Sequence, residues 1–487
     1  MLEVRTVGGA TSPPVSDLIW APSAWLPGGW AQHVLLRLGV DGCWAEVSPG
    51  VARPPMGAHV LPGPLLPGLV NAHSHAFQRA FAGLAERRES AADDFWSWRD
   101  RMYRVALRIT PAQQRAIAAM LYLELLRGGY TQVCEFHYLQ HDLDGSAYDD
   151  PLAMGWALAD AAQDAGLGLT LMPALYERAG FGQPGLRADQ RRFATTAHSV
   201  WDAAGGIRAA ASMAASQGQP GVGARPPLNA GLVIHSLRAA SPESIKKLAD
   251  LAADFDGPIH IHVAEQIAEV ADCLVATGVR PIEWLARENL LDPRWQLVHA
   301  THSLPSEIEA VARRGAGVVI CPSTEANLGD GLPDLRGWLN ADVPLAIGSD
   351  SHVNRDWREE LRWLDYGQRL ALHQRNVAAA PGAGEPSTAQ RLFSRALQGG
   401  AAAAGLARWG LVVGARADAV VADRAASSLL GVPPDQLLDA LVFSSPGSPW
   451  RDVMVAGRWV LQAHQHAQAA LITRRFEQAM DALWRQG

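Results

Sequence analysis

A chain of 487 residues with 48% hydrophobic side chains exceeds the roughly 250–300 residues that one core serves, and it is too apolar for general disorder. A net charge of −7 argues against a nucleic-acid surface. Four scattered cysteines without a C-x-x-C pair argue against a disulfide frame or a zinc ribbon.

The N-terminus has no basic region followed by an apolar core, and no apolar run approaches a membrane span. The expected location is the cytoplasm. Residues 1 to about 64 read as β-rich, with short runs at Asp17–Trp20, Val34–Leu38 and Cys43–Val47 between Gly and Pro turns. From Leu65 the pattern changes to apolar strands alternating with Ala- and Leu-rich helices. The strand candidates are Leu65–Val70, Gln132–Phe136, Gly168–Leu175, Gly231–His235, Pro258–Val263, Gln296–Ala300, Gly317–Cys321 and Pro344–Gly348. Helices are expected between them, for example at Pro111–Arg127, Pro151–Ala165, Pro242–Ala253 and Pro281–Glu288. Eight short apolar strands alternating with helices predict a closed parallel (β/α)8 barrel. An open doubly wound sheet is the alternative, but no Gly-x-Gly-x-x-Gly turn follows the first strand.

The tract 203–229, rich in Ala, Gly and Pro, reads as a helix and then a loop, and 378–387 as a loop before a helix at Thr388–Leu397. After Gly405, strand-like runs return at Leu411–Val413, Ala419–Ala422 and Val453–Val455, with Gly457 and Arg458 at a hairpin turn. Both ends of the chain therefore flank the barrel. The expected division is a small β-sandwich from 1–64 and 406–473, a barrel from 65–405, and a closing helix within 474–487.

The chemistry begins where the first apolar run ends, at His73-Ser74-His75. Residues i and i+2 of a strand share a face, so both imidazoles can reach one ion. A helix-like segment, Ala76–Ala85, follows. Alone, such a pair is equally compatible with two histidines on a surface turn. Other strands, however, also end in polar groups: His260-Ile261-His262-Val263-Ala264-Glu265, His299-Ala300-Thr301-His302 and Gly348-Ser349-Asp350. Buried ionisable groups are costly unless they share an ion or a substrate. His73, His75, one of His260 or His262, and Asp350 make a neutral N/O set suited to a divalent ion. Strand alternation puts His260 and His262 on one face and does not choose between them.

Pro67-Gly68-Leu69-Val70-Asn71-Ala72-His73-Ser74-His75, His262-x-x-Glu265, His299 and Ser349-Asp350, with the tail Gly414-Ala415-Arg416-Ala417-Asp418-Ala419-Val420-Val421, resemble the amidohydrolase superfamily. That resemblance implies His73, His75, His262 and Asp350 as metal ligands, with Glu265, His299 and Asp350 as catalytic groups. Some members bridge two metals with a carboxylated lysine at the end of the fourth strand. Here the only lysines, Lys246 and Lys247, follow that position on a helix, so one divalent ion, zinc before iron or manganese, is expected. Such an ion brings the pKa of water to about 7. Glu265 can then pass a proton to a leaving nitrogen, as deamination of a C=N carbon requires. The cytidine-deaminase signature, H-x-E with P-C-x-x-C, is absent.

Gln78, Arg99, Tyr138, His235 and Arg238 lie just after strand ends and are the expected substrate-binding residues. Two arginines from different loops suggest a dianion, since a guanidinium pairs a carboxylate bidentately. Asn71–Ala85, Phe95–Arg104, Cys134–Tyr138 and Thr324–Gly331 resemble one branch of the superfamily, the formimidoylglutamate deiminases. This implies hydrolysis of N-formimino-L-glutamate to N-formyl-L-glutamate and ammonia in histidine breakdown. The expected partners are a small dianionic, amino-acid-derived substrate and a second copy of the chain, with neither nucleic acid nor membrane. The alternatives are a deaminase of guanine, cytosine or an adenosine derivative, and a non-catalytic barrel scaffold. The full set of presumed ligands speaks against the scaffold.

Overall fold

Eight parallel strands wall a nearly closed barrel: β1 (Leu69–Ser74), β2 (Tyr130–His137), β3 (Gly168–Leu175), β4 (Leu232–Ser236), β5 (Ile259–Val263), β6 (Trp295–His299), β7 (Gly317–Ile320) and β8 (Leu345–Ile347). The computed structural model describes residues 16–88, 94–217 and 227–485. Every residue of these eight strands is buried. Helices cover one face of a parallel strand and the barrel interior covers the other, hence the unbroken apolar runs. Leu169, Ile234, Ile261, Leu297, Val318 and Ile347 pack outward in one large core cluster. Inside, Ala72, Val298, Val319, Cys321, Ala346 and Ala403 form a small plug. Ala403 ends the helix Thr388–Ala403, whose last turn seals the barrel floor. Its carbonyl accepts from Cys134 Sγ at 3.5 Å and from His260 Nε2 at 2.8 Å.

The first and last strands meet through a short parallel bridge between Ser74 and Asp350. Asp350 N–H donates to the His73 carbonyl at 3.0 Å, and His75 N–H donates to the Asp350 carbonyl at 3.3 Å. Below them, Asn71 and Ser349 exchange two hydrogen bonds, Asn71 Nδ2 to Ser349 Oγ (2.7 Å) and Ser349 N to Asn71 Oδ1 (2.9 Å). Among the described residues, no helix is long and apolar enough to cross a membrane.

Strands from both ends of the chain build a separate sheet. In spatial order it runs Arg458–Leu461, Trp450–Val455, Ala419–Ala422, Leu65–Pro67, Leu18–Leu26, Gly29–Leu38 and Trp44–Ser48, with His59–Val60 alongside Leu18–Leu26. The run expected as one strand, Leu65–Val70, is therefore two. Leu65–Pro67 belongs to the terminal sheet and Leu69 starts the barrel. Gly68 sits between them because a Cβ there would lie 2.4 Å from Thr131 Cγ2. Its carbonyl is held by Trp409 Nε1 at 2.8 Å.

Two other expectations change, and a third is met over the part of it that the structure describes. Leu411–Val413 is not a strand, because Gly410 (φ 104°) and Gly414 (φ 82°) turn the chain on either side of it. Leu411 still reaches the terminal-sheet core. Ala76–Ala85 shortens to a 3-10 turn, Ala76–Ala80. In the tract 203–229, helix Ala197–Gln217 covers the first part, while 218–226 lie outside the described residues.

The seam generates a stability prediction. A Cβ on Gly348 would lie 2.6 Å from His73 Cβ and 3.0 Å from His73 N. Gly348→Ala should destabilise by about 1–3 kcal/mol, as overpacking does. Gly382→Ala, where a Cβ meets nothing within 4 Å, serves as the control. Thermal melts should separate the two variants, and coincident midpoints would show that the seam has slack.

Candidate active site

The seam sets the site. The backbone bonds that close the barrel leave Asp350 in the left-handed region (φ 46°), with its carboxylate turned toward the strand-end histidines. Asp350 Oδ1 lies 3.4 Å from His73 Nε2 and 3.3 Å from His75 Nε2. His262, on β5, brings its Nε2 to 3.0 Å from His73 Nε2. The ligand atoms of His73, His75 and His262 lie within 4.8 Å of one another, and those of His73, His299 and Asp350 form an overlapping group.

Depth separates His260 from His262. Two residues along a strand separate them by about 7 Å. His260 lies at the floor, bonded to the Ala403 carbonyl, whereas His262 reaches the mouth.

The imidazoles are held neutral, the form that binds metal. Burial, reinforced by neighbouring histidines, pushes His73 and His262 well below the usual histidine range and His75 down to about 3. His75 Nδ1 faces the Phe136 carbonyl at 3.0 Å. A carbonyl only accepts, so Nδ1 carries the hydrogen and Nε2 presents its lone pair. This donor set, three neutral nitrogens and one carboxylate, fits a zinc-type ion.

Glu265 and His299 stand beside the cluster, Glu265 Oε1 at 3.8 Å from His299 Nε2. Burial drives the Glu265 carboxyl up to about 7, against the opposing pull of His299 and Arg238. Burial opposes charge on His299, but Glu265, Glu325 and Asp350 outweigh it and push the ring up to about 10. Glu325, which begins no strand and carried no role in the sequence reading, orients that ring. Its Oε1 accepts from His299 Nδ1 at 3.3 Å and from Cys321 N at 2.9 Å.

Gln78, Arg99, Tyr138, His235, Arg238, His75, His262, Glu265, His299 and Asp350 all line one cavity of about 40 Å³, and His73 lies directly behind it. Thus the residues that the resemblance implied as ligands, catalytic groups and substrate contacts are gathered here, while His260 is not. Gln78 Nε2 donates to Tyr138 Oη at 3.1 Å. The His235 ring packs 4.3 Å from Tyr176 and 5.0 Å from His262. Arg99 and Arg238 converge on one indole, their guanidinium carbons 4.6 and 5.3 Å from the Trp96 ring centre. Both are buried with Nε unpartnered. Among the described residues, the carboxylate pairing recorded for Arg99 is Asp100 at 3.9 Å; Arg238 has none within 4.0 Å.

Residues 65–460 match the amidohydrolase family. The chain belongs to the amidohydrolase family. It is 44% identical to formimidoylglutamate deiminase of Pseudomonas aeruginosa, over 96% of this chain and 99% of that one. It is 28% identical to 5-methylthioadenosine/S-adenosylhomocysteine deaminase of Natronomonas pharaonis, over 82% and 81%. The crystal structure of an amidohydrolase from Brucella melitensis superposes with a TM-score of 0.88 at 39% identity, covering 96% of this chain and 99% of that one. An adenosine deaminase from Xanthomonas campestris, solved with bound zinc, shares the fold at a TM-score of 0.77 and 23% identity, over 96% and 98%.

Glu135, another residue without an assigned role in the sequence reading, supports the turn that carries His73 and His75. Its carboxylate accepts from Ala76 N (2.6 Å), Ser74 Oγ (2.7 Å) and Tyr122 Oη (3.2 Å). A carboxylate inside an apolar strand was the available signal. Burial outweighs these donors and raises Glu135 to about 7. The folded chain therefore binds this proton more tightly than the unfolded chain. The resulting stability is full below about pH 4.5 and is lost as pH rises through 7. Glu135→Gln should remove that fall, gaining roughly 1–3 kcal/mol on wild type between pH 5 and 8. Denaturant melts across that range measure it, and parallel curves for both proteins would refute it.

Proposed function

We propose that this amidohydrolase hydrolyses N-formimino-L-glutamate to N-formyl-L-glutamate and ammonia, a step of histidine breakdown. The observation that carries this reading is the pair of buried guanidiniums, Arg99 and Arg238, that rest on Trp96 beside the His/Asp cluster. Asp100 approaches Arg99 only to 3.9 Å, and Arg238 feels Glu269 and Glu265 without an ion pair. Buried cations so loosely compensated are costly, and a dianionic ligand supplies two close partners. The 44% identity with formimidoylglutamate deiminase supports the same substrate.

His73, His75, His262 and Asp350 would hold one divalent ion, zinc in this reading. When bound, the ion supplies Lewis acidity that makes water nucleophilic near neutral pH. Asp350 accepts the proton of the attacking water, and His299, fixed by Glu325, faces the oxygen on which charge develops. Glu265, a carboxyl poised near 7, delivers a proton to the departing nitrogen, so ammonia leaves and the formyl amide remains. The arginines fix the two carboxylates while Gln78, Tyr138 and His235 line the space around the formimino carbon. Such two-ended anchoring converts binding energy into alignment of the reacting carbon.

The test is ammonia release from N-formimino-L-glutamate, with 5-methylthioadenosine, guanine and cytosine beside it. Arg99→Met or Arg238→Met should lower kcat/KM by tens- to thousands-fold, the effect of about 2–5 kcal/mol for truncating a buried charge pair. Lysine should rescue partly, because it lacks the planar fork. If both methionine variants retain full activity, the dianion reading fails and the heterocycle deaminase takes its place.

Elemental analysis should find about one divalent ion per active chain, and chelators should abolish turnover reversibly. Two tightly held ions per chain would overturn the mononuclear reading.

A further inference from the structure

Glu269 lies in the first turn of the helix Ile267–Thr277 and is completely buried. The helix N-cap, Gln266, makes no side-chain capping bond. A glutamate three residues into a helix ordinarily reaches back to the N-cap amide. Glu269 reaches further. One oxygen accepts from Ala264 N at 3.1 Å and the other from Glu265 N at 3.2 Å. Ala264 is in the left-handed region at φ 52°, which a residue with a Cβ adopts only when its surroundings impose it. The carboxylate thus holds the strained turn from which the Glu265 side chain departs. Arg238 is the main positive charge acting on it, so one buried anion faces both the proton-delivering residue and a substrate-binding guanidinium.

We propose that Glu269 is a positioning residue: its carboxylate clamps the Ala264–Glu265 amides and so fixes the angle at which Glu265 meets the leaving nitrogen. It touches no reacting atom and acts only through Glu265. The proposal rests on the substrate reading above for its assay, but its logic is that of a residue pair. An ordinary capping residue stabilises the helix whether or not Glu265 is present. A clamp for Glu265 matters to turnover only while Glu265 is there to be aimed.

The experiment is a double-mutant cycle of Glu265→Gln and Glu269→Gln, with metal content, melting temperature, kcat and KM measured for all four proteins. Glu269→Gln should fold and load metal, keep KM within about threefold, and lose at least about tenfold in kcat, as misplaced catalytic groups do. In the Glu265→Gln background the same substitution should change kcat by less than about twofold, because the group being aimed is already gone. The amides of Ala264 and Glu265 should exchange faster with deuterium in Glu269→Gln, a readout independent of any substrate. An equal loss in both backgrounds, or unchanged amide exchange with wild-type kcat, would overturn the proposal. A wild-type enzyme inert toward N-formimino-L-glutamate would sink the substrate reading instead, leaving the exchange measurement to judge Glu269.

Discussion

The barrel closes on its own chemistry. The same two backbone hydrogen bonds that join β1 to Asp350 also set that carboxylate beside His73 and His75. A parallel barrel must bring its first and last strands together to leave no open edge. Here the closure is short, a single bridge reinforced by the Asn71–Ser349 exchange. The candidate ligands from the two ends of the barrel sequence, His73 and His75 against Asp350, are therefore as well fixed as the fold itself. Positions held by a rigid scaffold need little reorganisation at the moment of reaction, which is the main source of electrostatic catalysis.

Around that seam the chain stores strain and buried charge. Ala264, His299, Ala300, Asp350 and His352 all take positive φ without being glycine, and all lie at the mouth. Each costs of order 1–3 kcal/mol, to be recovered elsewhere. The large outer core and the helix that seals the floor do so. Glu135, Glu265, Glu269 and Glu325 are buried as well, each supported by backbone amides, hydroxyls or an opposing imidazole or guanidinium. The interior is thus polar on a plan: amides steady the carboxylates, and carboxylates steady the rings.

Much of this was legible from sequence because the barrel imposes a simple grammar. Both faces of each strand are covered, so apolar runs mark strands, and a His, Glu or Asp at the end of a run marks the mouth. That grammar locates His73, His75, Glu265, His299 and Asp350 without any structure. It stops where tertiary contacts decide. Period-two alternation cannot measure depth, so His260 and His262 were equivalent until the Ala403 carbonyl claimed the lower one. Leu65–Val70 read as one strand because apolarity does not reveal which sheet a residue joins; the close approach of Thr131 to Gly68 does. Glu269 and Glu325 drew no role from the sequence, since nothing local shows that their carboxylates turn inward. Trp96 gained meaning only when two arginines from separate elements were found on its face.

That indole has a consequence for the medium in which the protein works. Arg99 and Arg238 rest on a neutral ring, and among the described residues the one carboxylate within 4.0 Å of either is Asp100, 3.9 Å from Arg99. The protein as a whole carries a net charge of −7, which opposes anions, while in the dianion reading the two guanidiniums would draw them in; both fields fade beyond a Debye length, about 8–10 Å at ordinary ionic strength. Salt screens both fields, and their effects on capture oppose one another. Tetrahedral oxyanions such as phosphate and sulfate offer the same paired oxygens to a guanidinium fork as a carboxylate does. In the dianion reading, phosphate in a buffer would therefore compete with substrate for the same pair of guanidiniums.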